Sequence, residues 1–328
     1  MNSPTRTIFL QASGRLRSGW RLAIYVAVLF ASAAALMAAL HALGLRPPHD
    51  GPGPRSPFRL LPVVSSLVAV TLLVSGVFLW VTDRRPLSTL GLALGPAAIP
   101  GALLGLLVGV APVALTVAIF GAMGVASIHP SASAAALAEP SAIASFAVTS
   151  LGSAMEELLW RGYIFQLIIE GAGRWIAALA TALPWALAHA DNPGANAAGV
   201  IYLALSGILM AWAVIRTGSL WFVIAYHIAW NVTAAHVFGL TTSGFDLGAS
   251  VLRTTLTGPA WLTGGAFGFE ASFVTETLDV LGLSTALLLA KRVPRISEAA
   301  PYFERRIAVP GPQGPDTATG ALQDGDAP

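Results

Sequence analysis

The sequence predicts an all-α fold: a polytopic membrane bundle of about eight transmembrane helices enclosing a polar cavity. Three observations carry that expectation. Of 328 residues, 55% are apolar and 10% charged, where an average soluble domain has about 45–50% and about 25%. The mean hydropathy is +0.72. Apolar runs also recur at the length of about 20 residues that a spanning helix needs. So few charges cannot cover a soluble particle of 33.8 kDa. A cytosolic enzyme, a secreted disulfide scaffold and a disordered chain are excluded.

In chain order the expected spans are Trp20–Leu43, Phe58–Val81, Ala97–Met123, Ser141–Ile169, Trp175–Ala190, Ala197–Ile215, Ser219–Leu240 and Phe273–Ala290. The first outruns the roughly 7–15 residue core of a cleavable signal and reads as an uncleaved span. The fourth is long and the fifth short. The loop Arg46–Arg59 is rich in Pro and Gly and should be irregular. Residues 1–19 form a cytoplasmic N-terminal segment and 20–293 the transmembrane domain, with its motif core at 141–240. Residues 294–328 form a cytoplasmic tail, and its end at 307–328 has the Pro/Gly/Asp-rich composition of a disordered segment. No internal repeat is evident.

Orientation follows from the positive charges, which collect on the cytoplasmic side. With eight spans and the N-terminus inside, thirteen basic residues fall inside and four outside, namely Arg46, Arg55, Arg59 and Arg253. Both termini are then cytoplasmic in a cell-membrane protein. Trp20, Trp80, Trp175 and Trp221 fall at span ends, where an aromatic belt is expected. The net charge is +2 with no basic stretch beyond Arg84-Arg85 and Lys291-Arg292, so no nucleic-acid partner is expected. Cysteine is absent, which excludes disulfides, thiolate metal sites and a Cys nucleophile.

Ionisable groups at membrane depth cost at least about 2.5–3.5 kcal/mol each and persist where they face a protein interior or a watery cavity. The fourth span carries Glu156, Glu157 and Arg161, the fifth Trp185 and His189, the seventh His227 and Asn231. Glu157 and Arg161 are i,i+4 neighbours in the favourable acid-before-base order, which makes them a structural pair. Glu156 lies about 100° round the helix and is the freer carboxylate. His227 and Asn231 share a face. At 1.5 Å per residue, Glu156 and His189 come out roughly 21 and 22 Å above the inner ends of their spans, His227 and Asn231 roughly 12 and 18 Å. One layer can hold all four.

A carboxylate beside imidazoles suits water activation. Glu156 can take a proton from water and return it to a leaving amine. The imidazoles can orient the water or bind a metal that acidifies it. Asn231 offers a donor to a developing oxyanion. Glu156, His189 and His227 would be the ligands of a zinc ion, but the compact H-E-x-x-H helix motif is missing. Zinc and a metal-free mechanism both stay open.

Three ordered motifs over residues 156–231, Glu156-Glu157-x-x-x-Arg161, aromatic-x-x-x-His189 and His227-x-x-x-Asn231, resemble the CPBP family of intramembrane metalloproteases. That family includes CAAX prenyl-endopeptidases and bacterial proteins linked to bacteriocin self-immunity. The resemblance implies an endopeptidase with a conical, water-filled cavity, acting on membrane-associated or lipidated protein substrates within the bilayer. It implies that Glu156 and His189 activate water, that His227 and Asn231 stabilise the oxyanion, and that Glu157 and Arg161 support them. Trp185 departs from the family's usual Phe, a change read here as one of packing.

Blander readings stand beside these. The Glu156/Glu157/Arg161 cluster suits a salt-bridge network, His189 an interfacial histidine and His227 a helix–helix hydrogen bond. Asn231 suits polar packing as well as an oxyanion contact. Glu270, in the glycine-rich stretch Gly264–Ser272, is expected to cap the last helix rather than touch substrate. Glu276 and Asp279 suit the positive end of that helix. His236 is expected near the outer surface, and His41, His49 and His129 are assigned no role. Two other functions compete with proteolysis: a transporter relaying protons or ions through Glu156, Glu157 and Arg161, and a catalytically idle scaffold or immunity factor of the same fold.

Overall fold

The computed structural model describes residues 8–11, 14–45, 56–96, 98–131 and 137–290. The expected tail 294–328, the loop residues 46–55 and the charges at Arg6, Lys291, Arg292, Arg295, Arg305 and Arg306 lie outside them.

The described chain is a helical bundle. Its long elements are α1 (Ser18–Ala42), α2 (Pro57–Phe78, continued by a π turn Leu79–Asp83), α3 (Ala98–Ala122) and α4 (Pro140–Arg161). Then come α5 (Tyr163–Ala172), α6 (Arg174–Leu187), α7 (Ala197–Thr217) and α8 (Leu220–Val232, continued by a π turn Thr233–Val237). A single turn, α9 (Ala260–Thr263), precedes α10 (Phe273–Ala290). Local chemistry marks the ends. Pro57 and Pro140 open α2 and α4, where a missing N–H costs nothing. The Asn196 side chain accepts the Gly199 N–H at 3.0 Å to start α7. Gly218, left-handed at φ 64°, ends it.

Among the described residues, five helices are long and apolar enough to cross a bilayer: Ser18–Ala42, Pro57–Asp83, Ala98–Ala122, Ala197–Thr217 and Leu220–Val237. This is a membrane protein. Large apolar side chains such as Leu73 and Trp80, 66% and 71% exposed, cover its flanks, as a lipid-facing surface requires. The last expected span returns with the same bounds as α10. Two others need correction. The fourth is not continuous: it breaks at Gly162, where a Cβ would lie 2.1 Å from the Leu158 carbonyl oxygen. The depth argument along one axis from Glu156 to Ile169 therefore fails. The fifth is a helix of 14 residues, and His189 lies in the turn beyond its end.

α8 lies at the centre, packed on α3 and α4, while α6 packs on α7 and α10 on α3 and α7. The α3–α8 approach is close because α3 presents Gly105 and Gly109 four residues apart. Cβ atoms there would fall 2.2 Å from Phe222 O and 2.3 Å from Tyr226 O. Small residues at this spacing let membrane helices touch backbone to backbone. An antiparallel ribbon of β1 (Ala126–Pro130) and β2 (Leu252–Leu256), not anticipated from the sequence, ties the segment after α3 to the segment after α8.

A charged clasp joins α1, the π turn after α2, and α5. Buried Arg21 pairs with both Asp83 and Glu170, Arg15 also pairs with Asp83, and Gln11 donates to Glu170 at 3.0 Å.

Candidate active site

The site grows from a polar stripe on α4. Thr149, Ser153, Glu157 and Arg161 recur every four residues and so share one face. α8 and its π turn run antiparallel beside it and supply a partner for the first three. Glu157 Oε1 accepts from His227 Nδ1 at 2.8 Å. Asn231 Nδ2 donates to Ser153 Oγ at 2.9 Å. Thr149 Oγ1 meets His236 Nε2 at 2.9 Å. On α8 the second step is five residues rather than four, and the π turn Thr233–Val237 absorbs the extra residue. A π turn bonds i to i+5 and is often found at functional sites. It keeps His236 in register with Thr149.

The two cavity imidazoles, His189 and His227, are each held by one nitrogen. A carboxylate can only accept, so His227 Nδ1 is the donor to Glu157 and Nε2 is left for the cavity. His189 Nδ1 donates to the Trp185 carbonyl at 2.8 Å, closing an orphan acceptor at the end of α6 and again leaving Nε2. Glu157 also accepts from Arg161 Nη1 at 3.2 Å, and Arg161 Nη2 donates to Gly207 O at 3.2 Å. Glu157 and Arg161 are fully buried. The expected ion pair is present, and it does more than hold α4: its carboxylate orients His227.

Trp185 is the hub that sequence reasoning missed. Its indole N–H donates to Glu156 Oε2 at 2.7 Å. Its ring packs edge-on to His189 and His227, at 5.3 and 6.0 Å between centroids, and carries the Arg161 guanidinium at 4.8 Å. Reading it as a packing position needs correction, because a Phe has no N–H to give Glu156. The signal was there in the donor itself. Ser153 was also missed, although its four-residue spacing to Glu157 announces it.

Glu156, Trp185, His189, His227 and Asn231 line one cavity of ≈ 470 Å³. The four residues expected to do chemistry are therefore brought together. Among the described residues no three His, Cys, Asp or Glu side chains are grouped to hold a metal ion. Glu156, His189 and His227 are not arranged as a zinc ligand set here, with Glu156 Oε2 engaged by Trp185.

His236 is buried, with Nδ1 donating to Ala249 O at 2.9 Å. Two further expectations change. Glu270 does not cap α10: it accepts from Trp230 Nε1 at 3.1 Å and from the Ser243 N–H and hydroxyl at 2.6 and 2.7 Å. Ser272 does that capping, its hydroxyl accepting the Thr275 N–H at 3.3 Å. Glu270 instead fixes Ser243 in the left-handed conformation at φ 48°. Gly264 and Gly268, at φ 86° and 109°, make tight turns before it. Asp279 lies beyond the first turn of α10 and meets Tyr226 Oη at 2.7 Å, so the helix dipole is not what holds it.

Residues 138–233 match the model of a family described as Type II CAAX prenyl endopeptidase Rce1-like. That segment is similar to the family. This agrees with the resemblance to the CPBP family, and the matched segment runs from the start of α4 to the π turn after α8. All four cavity residues expected to act in catalysis fall inside it. No curated protein and no solved structure matches the chain.

Proposed function

We propose that the protein is an intramembrane endopeptidase that hydrolyses peptide bonds of membrane-associated or lipidated substrates. The observation that carries this is the meeting of Glu156, His189, His227 and Asn231 at one cavity, all four inside the segment that matches the Rce1-like family model.

The chemistry follows from which valences are free. Trp185 holds Oε2 of Glu156, leaving Oε1 to take a proton from a water molecule. His189 Nε2 orients that water. The water oxygen attacks the peptide carbonyl carbon, and the carbonyl oxygen becomes an oxyanion. Asn231 spends one amide hydrogen on Ser153 and has a second to donate to this oxyanion. To donate from Nε2, His227 must carry a proton on both nitrogens, and Glu157 then supplies the countercharge. Collapse breaks the C–N bond, and Glu156 delivers its proton to the leaving amine. No step is routed through a metal ion. The eight-pass arrangement with both termini cytoplasmic is part of this proposal, and reporter fusions at the termini test it.

The direct test compares membrane-fraction N-terminal peptides from cells carrying the wild type or Glu156→Gln. New N-termini present only with the wild type are expected. Identical peptide sets from equally folded and expressed proteins would favour the idle scaffold.

A further inference from the structure

The wall of the cavity contributed by α7, α8 and α10 holds a carboxyl group that catalysis does not use. Glu276 and Asp279 of α10 are 7% and 0% exposed, and Glu276 lines the cavity together with Ser206 and Tyr226. Asp279 is well served: the Tyr226 hydroxyl donates to Oδ1 at 2.7 Å and the Ser206 hydroxyl to Oδ2 at 2.8 Å. Ser206 also lies 3.4 Å from Glu276 Oε2, but its single proton goes to the nearer acceptor. Glu276 Oε1 has no hydrogen-bond partner among the described residues. A buried carboxyl oxygen without a donor is costly, and such an exception asks for a ligand.

The charge of the wall points to what that ligand is. Glu156, Glu270 and Glu276 line the cavity, and no Lys or Arg is among its lining residues. Glu270 receives three donors and Glu156 one, while Arg161 is fully buried and bound to Glu157 and Gly207. Glu276 alone is left without a close donor. A positively charged group entering this low-dielectric space gains a charge-assisted hydrogen bond, whereas a carboxylate meets three acids.

The geometry points to Glu276 as a subsite for a basic side chain, the ammonium of Lys or the guanidinium of Arg, on a peptide seated in the cavity. This rests on the reading of the cavity as a peptide site.

The test measures binding separately from turnover. The full chain with Glu156→Gln, in lipid nanodiscs, is titrated with apolar Leu/Ala peptides of about 20 residues. Each carries one Lys, norleucine or Glu, scanned through the sequence. At one position the Lys peptide is expected to bind about tenfold or more tighter than its norleucine counterpart, with the Glu peptide weakest. Adding Glu276→Gln should bring Lys and norleucine within about twofold of each other. Ser206→Ala, which keeps the carboxyl group, should retain the Lys preference. Equal binding of Lys and norleucine at every position with Glu276 intact would overturn the subsite without any variant, as would a preference that survives Glu276→Gln. Because these proteins do not turn over, failure of the subsite is distinct from failure of the proteolytic reading, which is read from wild-type cleavage of the same peptides.

Discussion

Two clusters of buried charge lie in this bundle, built from the same residue types and put to different use. In the clasp, Arg21 bridges Asp83 and Glu170, and Arg15 and Gln11 join them. Charge meets charge across α1, the turn after α2, and α5. In the site, Glu157 pairs with Arg161 and then hands its remaining order to His227, whose other nitrogen is left for the cavity. The clasp joins charge to charge; the site ends on open space. Its leftovers extend inward too, since Glu157 Oε2 and Arg161 Nε have no partner among the described residues. A buried ion pair is weak evidence for stability by itself. What distinguishes function from fastening here is whether a valence remains where a substrate can reach it.

That distinction can be broken by mutation. Glu156→Gln should lower kcat by about 10²–10⁴-fold and leave thermal stability close to wild type, read by turnover and thermal unfolding of the reconstituted protein. Arg21→Ala should do the reverse. It takes from Asp83 and Glu170 the buried guanidinium they share, and unfolding should show a loss of about 3–5 kcal/mol with turnover per folded molecule retained. Asn231→Ala should cost about 10²–10³ in kcat, the usual loss for one oxyanion donor, with little change in KM. Trp185→Phe keeps the ring and removes the N–H to Glu156. It should lower kcat by about tenfold, the worth of one hydrogen bond to a carboxylate, again visible in kcat rather than KM. The smallest effect belongs to a metal chelator, which should change the wild-type rate by less than about twofold if Glu156 and His189 act alone. A chelator-sensitive rate restored by zinc would sharpen the comparison differently, by making His189 and His227 ligands.

The apolar runs made α1, α2, α3, α7, α8 and α10 legible, because hydropathy reports what must face lipid. It could not report Gly162. A single glycine inside an apolar stretch reads as helix until the carbonyl of Leu158 is seen to occupy the place of its Cβ. The ribbon of Ala126–Pro130 and Leu252–Leu256 was invisible for a related reason: its pairing joins segments far apart in the chain. In the site, the i,i+4 arithmetic found Glu157 with Arg161 and placed His227 and Asn231 on one face. It missed the π turn, because a five-residue step violates the period it relies on, and so it left His236 outside. Trp185 was weighed by ring size while its N–H went uncounted. Glu270 looked like a helix-end acid because sequence distance from α10 was all there was to judge by, and its partners come from the loop after α8 and from α8. Glu276 does stand in the first turn of α10, as its position suggested.

The most direct measurement takes wild type, Glu156→Gln and Arg21→Ala, each purified and reconstituted, and follows cleavage of one transmembrane reporter peptide per folded molecule. The expected result is cleavage by the wild type and by Arg21→Ala, and none by a Glu156→Gln protein that unfolds at the wild-type temperature. Wild-type turnover in a folded Glu156→Gln protein would contradict the account.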